Sequence, residues 1–181
     1  MPSALVVDLS ADDRFDWRSV QGDPKTQPGK TNIRHFGLID DVYQFDAAFF
    51  RISAREGELM DPHARLLLET VWQTVENAGV APSSLQGSRV GMFLSFYNDE
   101  YGQVLGDAEI EKSSEPYLAT ALSGTIKANR VSFLLGLTGP SEVYDTACSS
   151  SLVALHRAMQ AISAGDCTQA IVAGVSLLLR P

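Results

Sequence analysis

Residues 142–152 read EVYDTACSSSL, a strand pattern that turns directly into a helix with Cys148 at the corner. A helix that begins there directs its unpaired backbone N–H groups and the positive end of its dipole toward the sulfur. This setting favours the thiolate, so the pattern predicts a nucleophile at Cys148 whose own N–H donates to an oxyanion after acylation. The serines at 149–151 are expected to cap the helix. The alternative is a buried cysteine that only packs, the common role of a free cysteine.

Strand and helix patterns alternate on both sides of this corner. The clearest helix runs from Asp61 to Gly79, with Asp61 as N-cap, Pro62 in the first turn and Gly79 after the last. Its polar face, expected to lie opposite the core, comprises Arg65, Glu69, Gln73 and Glu76. The other predicted elements are strands at 90–96, 142–146 and 168–179, helices at 117–135 and 152–163 (the latter buried all round), a solvated loop at 98–116, and a short helix or buried turn at 45–52. This order predicts an α/β layered domain with helices on both faces of the sheet.

Composition excludes several classes of protein. The 181 residues carry a formal net charge of −8 without a basic stripe, so nucleic-acid binding is not predicted. No apolar run approaches the roughly 20 residues that span a bilayer, and the start lacks a signal peptide's positive segment, so no membrane association is predicted. Two cysteines, Cys148 and Cys167, cannot form a disulfide framework or a metal knuckle, which indicates a reducing, cytoplasmic location. Cys167 is expected to pack.

Four blocks of the sequence resemble one enzyme family. The segment DTACSSSLVALH, at 145–156, resembles the active-site signature of β-ketoacyl synthases, the condensing enzymes of polyketide and fatty-acid assembly. Similar blocks are FDAAFFRISAREGELMDPHARLLLETVWQTVENAG at 45–79, GSRVGMF at 87–93 and ANRVSFLLGLTGP at 128–140. The resemblance covers 29–181 and is greatest to ketosynthase domains of modular polyketide synthases. It implies the N-terminal half of a thiolase-like α/β fold, with 29–181 as a partial ketosynthase and 1–28 as an irregular segment that replaces the family's opening strand.

The resemblance also implies a reaction and its partners. Cys148 would accept an acyl chain from the phosphopantetheine thioester of an acyl carrier protein, and a malonyl-type thioester would then lose CO₂ and attack that acyl group. A homodimer that pairs through strand 142–146 is implied, with no cofactor or metal bound directly. The family's two catalytic histidines lie in a second half that this sequence lacks, so the chain alone is not expected to condense. Without that half, apolar faces of the sheet and helices are expected to be uncovered.

None of the three histidines is predicted to act as a base for Cys148. His156 lies eight residues after Cys148 on the same helix, roughly 12 Å along its axis, and is expected to pack. His63, where the family usually has Gln, is expected to face solvent, and His35 is expected in a loop. A cysteine hydrolase is disfavoured because no base is available. The remaining alternative is a non-elongating structural or dimerisation fragment of such a synthase.

Overall fold

The structure is a computed structural model that describes residues 4–8, 16–97, 100–107 and 118–180. Its strands are β1 (Ala4–Asp8), β2 (His35–Ile39), β3 (Val90–Phe96), β4 (Ser141–Tyr144) and β5 (Gln169–Val175). Its helices are α1 (Ala54–Leu59), α2 (Pro62–Asn77), α3 (Glu100–Asp107), α4 (Leu118–Leu122), α5 (Gly124–Leu135) and α6 (Ser150–Ala164). Short 3₁₀ turns lie at Trp17–Ser19, Pro82–Leu85 and Ala147–Ser149.

A three-stranded parallel sheet in the order β4-β3-β5 forms the core of the fold. The central strand β3 is buried along its whole length, and its side chains alternate between the two faces of the sheet. Met92 and Leu94 pack in the cluster that includes α2 and α5, whereas Phe93 packs against α6 on the opposite face. The predicted α/β layering, with helices on both faces, is therefore confirmed.

Helix α2 begins and ends close to its predicted bounds. Asp61 caps it by accepting the backbone N–H of His63 at 2.8 Å, and Gly79 follows it with a φ of +74°, which glycine adopts without strain. The predicted polar face is wrong at Arg65, which is buried. The guanidinium donates to backbone carbonyl oxygens of Tyr43, Glu58 and Met60. These acceptors lie outside α2, so the periodicity of the helix does not reveal them.

The N-terminal segment contains more regular structure than expected. β1 pairs antiparallel with β2, from Ala4 opposite Ile39 to Asp8 opposite His35. The prediction that 1–28 is irregular is therefore wrong at 4–8, because the partner strand is distant in the sequence and a local pattern does not show it. His35, expected in a loop, lies in β2. The boundary between residues 28 and 29 stays a prediction.

Several elements differ from their predicted bounds. Of the two alternatives left open for 45–52, the structure has the turn, at residues 47–51, and of these only Phe50 is buried. The helix predicted at 117–135 is divided at Ser123 into α4 and α5, and the strand predicted at 168–179 ends at Val175. The loop predicted at 98–116 contains α3. The rest of that loop and the first residue of the helix predicted at 117–135 lie outside the described residues, at 98–99 and 108–117.

Helix α6 presents an apolar face to solvent. The residues that pack it against the sheet are Ala154, Ala158 and Ala161. The opposite face, which we call the α6 stripe, consists of Leu152, Leu155, Met159 and Ile162. Leu152 is 72% exposed and Met159 is 60% exposed, so the prediction of a helix buried all round is wrong. The expectation of uncovered apolar surface is confirmed at this helix.

Candidate functional site

Cys148 lies in the 3₁₀ turn Ala147–Ser149, between the end of β4 and the start of α6. Its side chain is exposed, whereas Cys167 is buried against Phe93 as expected. The turn leaves the carboxyl edge of the parallel sheet, which is where open α/β sheets bind their ligands. The sulfur therefore occupies the predicted corner between a strand and a helix, and solvent reaches it.

The backbone of this turn is strained and closely bonded. Ala147 has a φ of +54°, a left-handed conformation that is uncommon for a residue with a Cβ. Its N–H donates to Asp145 Oδ1 at 3.2 Å. The Ser150 hydroxyl accepts the Thr146 N–H and donates to the Ala147 carbonyl oxygen, each at 2.7 Å. Ser150 is only 2% exposed, so water competes poorly for the bonds that hold the residue preceding Cys148.

The serines that follow Cys148 do not cap α6 as predicted. Ser149 is the N-cap residue, but its side chain makes no capping bond to the helix. Its hydroxyl donates instead to the Thr146 carbonyl oxygen at 2.8 Å. Ser151 donates to Ser95 Oγ at 3.2 Å, which joins the first turn of α6 to the end of β3. The side chains thus shape the turn, and the amino end of α6 keeps no serine cap.

The end of β5 closely approaches the same helix start. A Cβ at Gly174 would lie 2.9 Å from Ser151 Oγ, so the absence of a side chain there allows the approach. Residues 176–180 come directly after the carboxyl end of β5. Glu100 Oε2 accepts the backbone N–H groups of Leu179 and Arg180. The amino end of α3 thus anchors this segment.

A buried ionic cluster, which we call the Asp61 cluster, consists of Asp61, His63 and Lys127. Asp61 and His63 are fully buried and Lys127 is 1% exposed. Asp61 Oδ1 lies 2.7 Å from His63 Nδ1, and Asp61 Oδ2 lies 3.0 Å from Lys127 Nζ. His63 Nε2 accepts the backbone N–H of Leu177 at 3.1 Å. The expectation that His63 faces solvent is wrong, because the segment after β5 and the Phe96 ring cover it.

Electrostatics keep the carboxylate of this cluster ionised. Burial by itself raises the pKa of Asp61, but the hydrogen bonds from His63 and the attraction of the Lys127 ammonium outweigh it, so the pKa lies below its ordinary value. Oδ2 receives no hydrogen bond of good geometry from the described residues, and the Lys127 charge is its partner. Sequence analysis missed this cluster. Two local signals were present, a histidine where the family usually has Gln and a lysine within a core-facing helix.

The histidines do not meet the cysteine in the part of the chain that the structure describes. His63 belongs to the Asp61 cluster, His35 lies in β2, and His156 is exposed on α6. The predicted packing role of His156 is therefore wrong. No hydrogen bond among the described residues joins Cys148 to an imidazole, so the site contains a candidate nucleophile without an adjacent base.

A groove of about 860 Å³ lies elsewhere, between α2 and α5. Aromatic side chains of Phe49, Trp72 and Phe133 contribute to its lining. A salt bridge of 2.6 Å between Arg130 and Glu56 closes one part of it. The turn that carries Cys148 does not line this groove, so the groove is not part of the candidate active site.

No group of three or more histidine, cysteine, aspartate or glutamate residues within the described ranges is arranged to hold a metal ion. Among those same residues, no helix has the length and apolar character required to cross a membrane.

Comparison with known proteins identifies a family. The sequence model described as "Beta-ketoacyl synthase, N-terminal domain" matches residues 5–181. The match begins at residue 5 and so extends further toward the amino end than the resemblance found in the sequence, which covers 29–181. The chain is 43% identical over 169 residues to polyketide synthase PksN of Bacillus subtilis, covering 93% of this chain and 3% of that protein. It is 43% identical over 176 residues to erythronolide synthase EryA3 of Saccharopolyspora erythraea, covering 97% of this chain and 6% of that protein.

Solved structures agree with this likeness. An oxazolomycin ketosynthase domain from Streptomyces albus superposes with a TM-score of 0.87 at 37% identity, covering 99% of this chain and 31% of that chain. A ketosynthase from module 6 of the bacillaene synthase of Bacillus subtilis superposes with a TM-score of 0.81 at 32% identity, covering 99% and 28%. The predicted thiolase-like α/β fold is confirmed, and the chain spans under a third of either solved ketosynthase.

Proposed function

Because the chain belongs to the β-ketoacyl synthase family, we propose that Cys148 is the acyl-accepting nucleophile of a condensing acyltransferase in polyketide or fatty-acid biosynthesis. The observation that carries this proposal is the exposed sulfur on a strained turn at the start of a 15-residue helix. The likeness to the family indicates which residue would react, and the exposure of Cys148 allows a thioester to reach the sulfur. The predicted packing role for Cys148 conflicts with its exposure.

The first chemical step is transfer of an acyl group to the sulfur. The Cys148 thiolate attacks the carbonyl carbon of an acyl-phosphopantetheine thioester, a new C–S bond forms, and the pantetheine thiolate leaves. The negative oxygen of the tetrahedral intermediate needs hydrogen-bond donors. The Cys148 backbone N–H has no hydrogen-bond acceptor among the described residues and is the donor we propose. The acyl chain is carried to the site on an acyl carrier protein, and no cofactor is bound directly.

The second step, condensation, requires groups that this chain does not bring to Cys148. Decarboxylation of a malonyl-type thioester produces a carbanion that attacks the acyl group, and nearby donors must stabilise the developing charge. No histidine among the described residues contacts the cysteine. We therefore expect the described chain to accept an acyl group and to form no C–C bond by itself.

Dimerisation through β4 is the partner arrangement that we propose. β4 pairs with β3 on one side only and is an edge strand of the described sheet, so its other backbone edge is available for another strand. A second copy that adds its own β4 there would extend the sheet across a twofold axis. We place the protein in the cytoplasm, where an exposed free thiol such as Cys148 stays reduced.

A second candidate function is a non-elongating structural or dimerisation fragment. The α6 stripe favours this reading, since a large apolar face is available for association. The two functions differ in whether Cys148 reacts. In the association-only function the sulfur has no chemical role, although the edge strand and the stripe still bring chains together.

Mass spectrometry after incubation with an acyl-pantetheine thioester tests the proposed function. We expect one acyl adduct on Cys148 and none in the Cys148→Ala variant. Cys167→Ser is the matched control, since Cys167 is buried and its removal leaves the adduct in place. An adduct on Cys167 alone, or none on the intact chain, would contradict the proposal. C–C bond formation by the isolated chain with a malonyl thioester would contradict the expectation that it cannot condense.

A further inference from the structure

The Asp61 cluster makes a hydrogen bond that reaches beyond its own ionic network. His63 Nδ1 faces the Asp61 carboxylate at 2.7 Å, and His63 Nε2 faces the backbone N–H of Leu177 at 3.1 Å. A carboxylate only accepts and a backbone N–H only donates. The imidazole must therefore carry its hydrogen on Nδ1 and leave Nε2 unprotonated.

This tautomer is fixed from both sides of the ring. Asp61 is itself held by the ammonium of Lys127, which also lies 4.1 Å from the centroid of the Phe96 ring. The edge of Phe96 packs against the His63 ring with centroids 5.2 Å apart. His63 is fully buried, so bulk solvent does not compete for these hydrogen bonds. Among the described residues, the hydrogen bond that its side chain makes outside the cluster is the one that it accepts from the Leu177 N–H.

Leu177 lies two residues after the end of β5, the strand that contacts helix α6 near Cys148. Gly174, three residues before Leu177, approaches Ser151 so closely that a Cβ would lie 2.9 Å from its hydroxyl oxygen. Ser151 in turn lies three residues after Cys148 in the sequence. A shift of the chain at Leu177 is therefore transmitted over a few residues to the first turn of α6. The bond from Leu177 to His63 anchors the near end of this path.

We propose that His63 is a positioning residue for the acylation of Cys148, an inference that rests on the proposed function. Its unprotonated Nε2 fixes the chain that leaves β5, and so fixes how β5 meets the start of α6. Asp61 and Lys127 serve this role by holding the imidazole in the required tautomer. His63 touches neither the sulfur nor the substrate, and it is not a catalytic residue.

The bond to Leu177 depends on an acceptor at this position of the side chain. The charged groups that face His63 are Asp61, at the amino end of its own helix, and Lys127 from α5. The other packed elements present the Phe96 ring and the Leu177 backbone. A side chain of similar size without an acceptor would leave the Leu177 N–H unpaired in the interior and is expected to loosen the end of β5.

Three variants test the positioning role through the rate of Cys148 acylation by an acyl-pantetheine thioester. His63→Leu removes the acceptor and is expected to slow acylation about tenfold, the effect of one buried hydrogen bond. His63→Gln keeps an acceptor for the Leu177 N–H and is expected to retain the rate within about twofold. The matched control is His156→Gln on the exposed face of α6, which is expected to change nothing.

Rescue by the conservative variant separates positioning from a merely structural role. His63→Gln restores an acceptor that His63→Leu lacks, so we expect the acylation rate to recover in His63→Gln. A folded His63→Leu variant that acylates at the wild-type rate overturns the proposal, as does a folded His63→Gln variant that is as slow as His63→Leu. If His63→Leu does not fold, the rate of His63→Gln decides, and a loss of about tenfold or more relative to the wild type overturns the proposal.

The failure of this inference differs from failure of the proposed function. If wild-type Cys148 is never acylated, the proposed function is wrong. The same comparison with iodoacetamide, which alkylates the thiol without needing any acyl chain, then tests whether His63 positions the sulfur. A normal wild-type acylation rate with no effect of His63 leaves the proposed function in place and removes the inference.

Discussion

Removing the ammonium of Lys127 tests the energetics of the Asp61 cluster. Lys127→Met keeps a long, flexible side chain in the same space but leaves the Asp61 carboxylate paired with His63 alone. Lys127 Nζ lies 3.0 Å from Asp61 Oδ2, and two unit charges at that distance attract by about 5 kcal/mol at an effective dielectric constant of about 20. Breaking a buried pair by removing one partner costs about 3–5 kcal/mol. We expect Lys127→Met to lower the free energy of unfolding by about that amount at neutral pH.

The pH dependence of this loss has a definite sign. In the wild type the pKa of Asp61 is lowered, so its stabilising contribution is present above the unfolded-state pKa of about 3.9 and is lost as the pH falls through the folded-state pKa. In Lys127→Met the attraction of the Lys127 ammonium no longer lowers the pKa of Asp61, while burial still raises it. The ionised Asp61 carboxylate therefore destabilises the variant most near neutral pH, and protonation of that carboxylate reduces the loss of stability. The difference between the free energies of unfolding of the wild type and the variant should narrow as the pH is lowered from neutral.

Urea unfolding followed by tryptophan fluorescence measures both quantities. Arg55→Met is the matched control, because it removes a cation from the exposed pair with Glu58, whose two side chains are 53% and 67% exposed. Such a pair is worth less than about 1 kcal/mol. The double variant Asp61→Asn with Lys127→Met removes both charges and should be more stable than Lys127→Met alone. A loss below about 1 kcal/mol that does not change with pH would refute the reasoning.

Two further variants test features near the cysteine. Ser150→Ala leaves the Thr146 N–H without its buried acceptor, so urea unfolding should show a loss of about 1–3 kcal/mol, and a loss below about 0.5 kcal/mol would contradict the role of the hydroxyl. Met159→Lys places a charge in the α6 stripe, where Met159 is 60% exposed. Sedimentation velocity should show weaker self-association with little change in stability, whereas unchanged association would mean that the stripe does not drive it.

The sequence was informative where the signal is local. The cap at Asp61, the glycine after α2 and the uniformly apolar strand β3 each act within a few residues, so their positions follow from pattern alone. The corner at Cys148 is of the same kind, since a strand, a turn and a helix are adjacent in the chain. Its placement was therefore predictable, although its bonds to the neighbouring serines were not.

Prediction failed where a side chain depends on distant partners. Arg65 and His63 look solvent-exposed on a helical wheel, but backbone groups from other segments satisfy them in the interior. Strand β1 is stabilised by pairing with β2, which is distant in the sequence, so its own pattern does not predict it. The burial of Lys127 is explained by its ion pair with Asp61, which also lies far away in the sequence. The apolar sequence of α6 indicated that the helix is buried on all sides. It did not show that no other element covers the α6 stripe in the described structure. These are tertiary effects, and periodicity along one element does not contain them.

The left-handed backbone at Ala147 has a consequence for the reaction proposed at Cys148. Ala147 is held by the Asp145 carboxylate and by the hydroxyl and backbone N–H of Ser150, all within the same six-residue stretch. The backbone that carries the sulfur is thus held by its immediate neighbours, independently of any partner. Under the proposed function, a thioester would meet a nucleophile whose supporting turn is already formed, and docking would need only to deliver the carbonyl carbon.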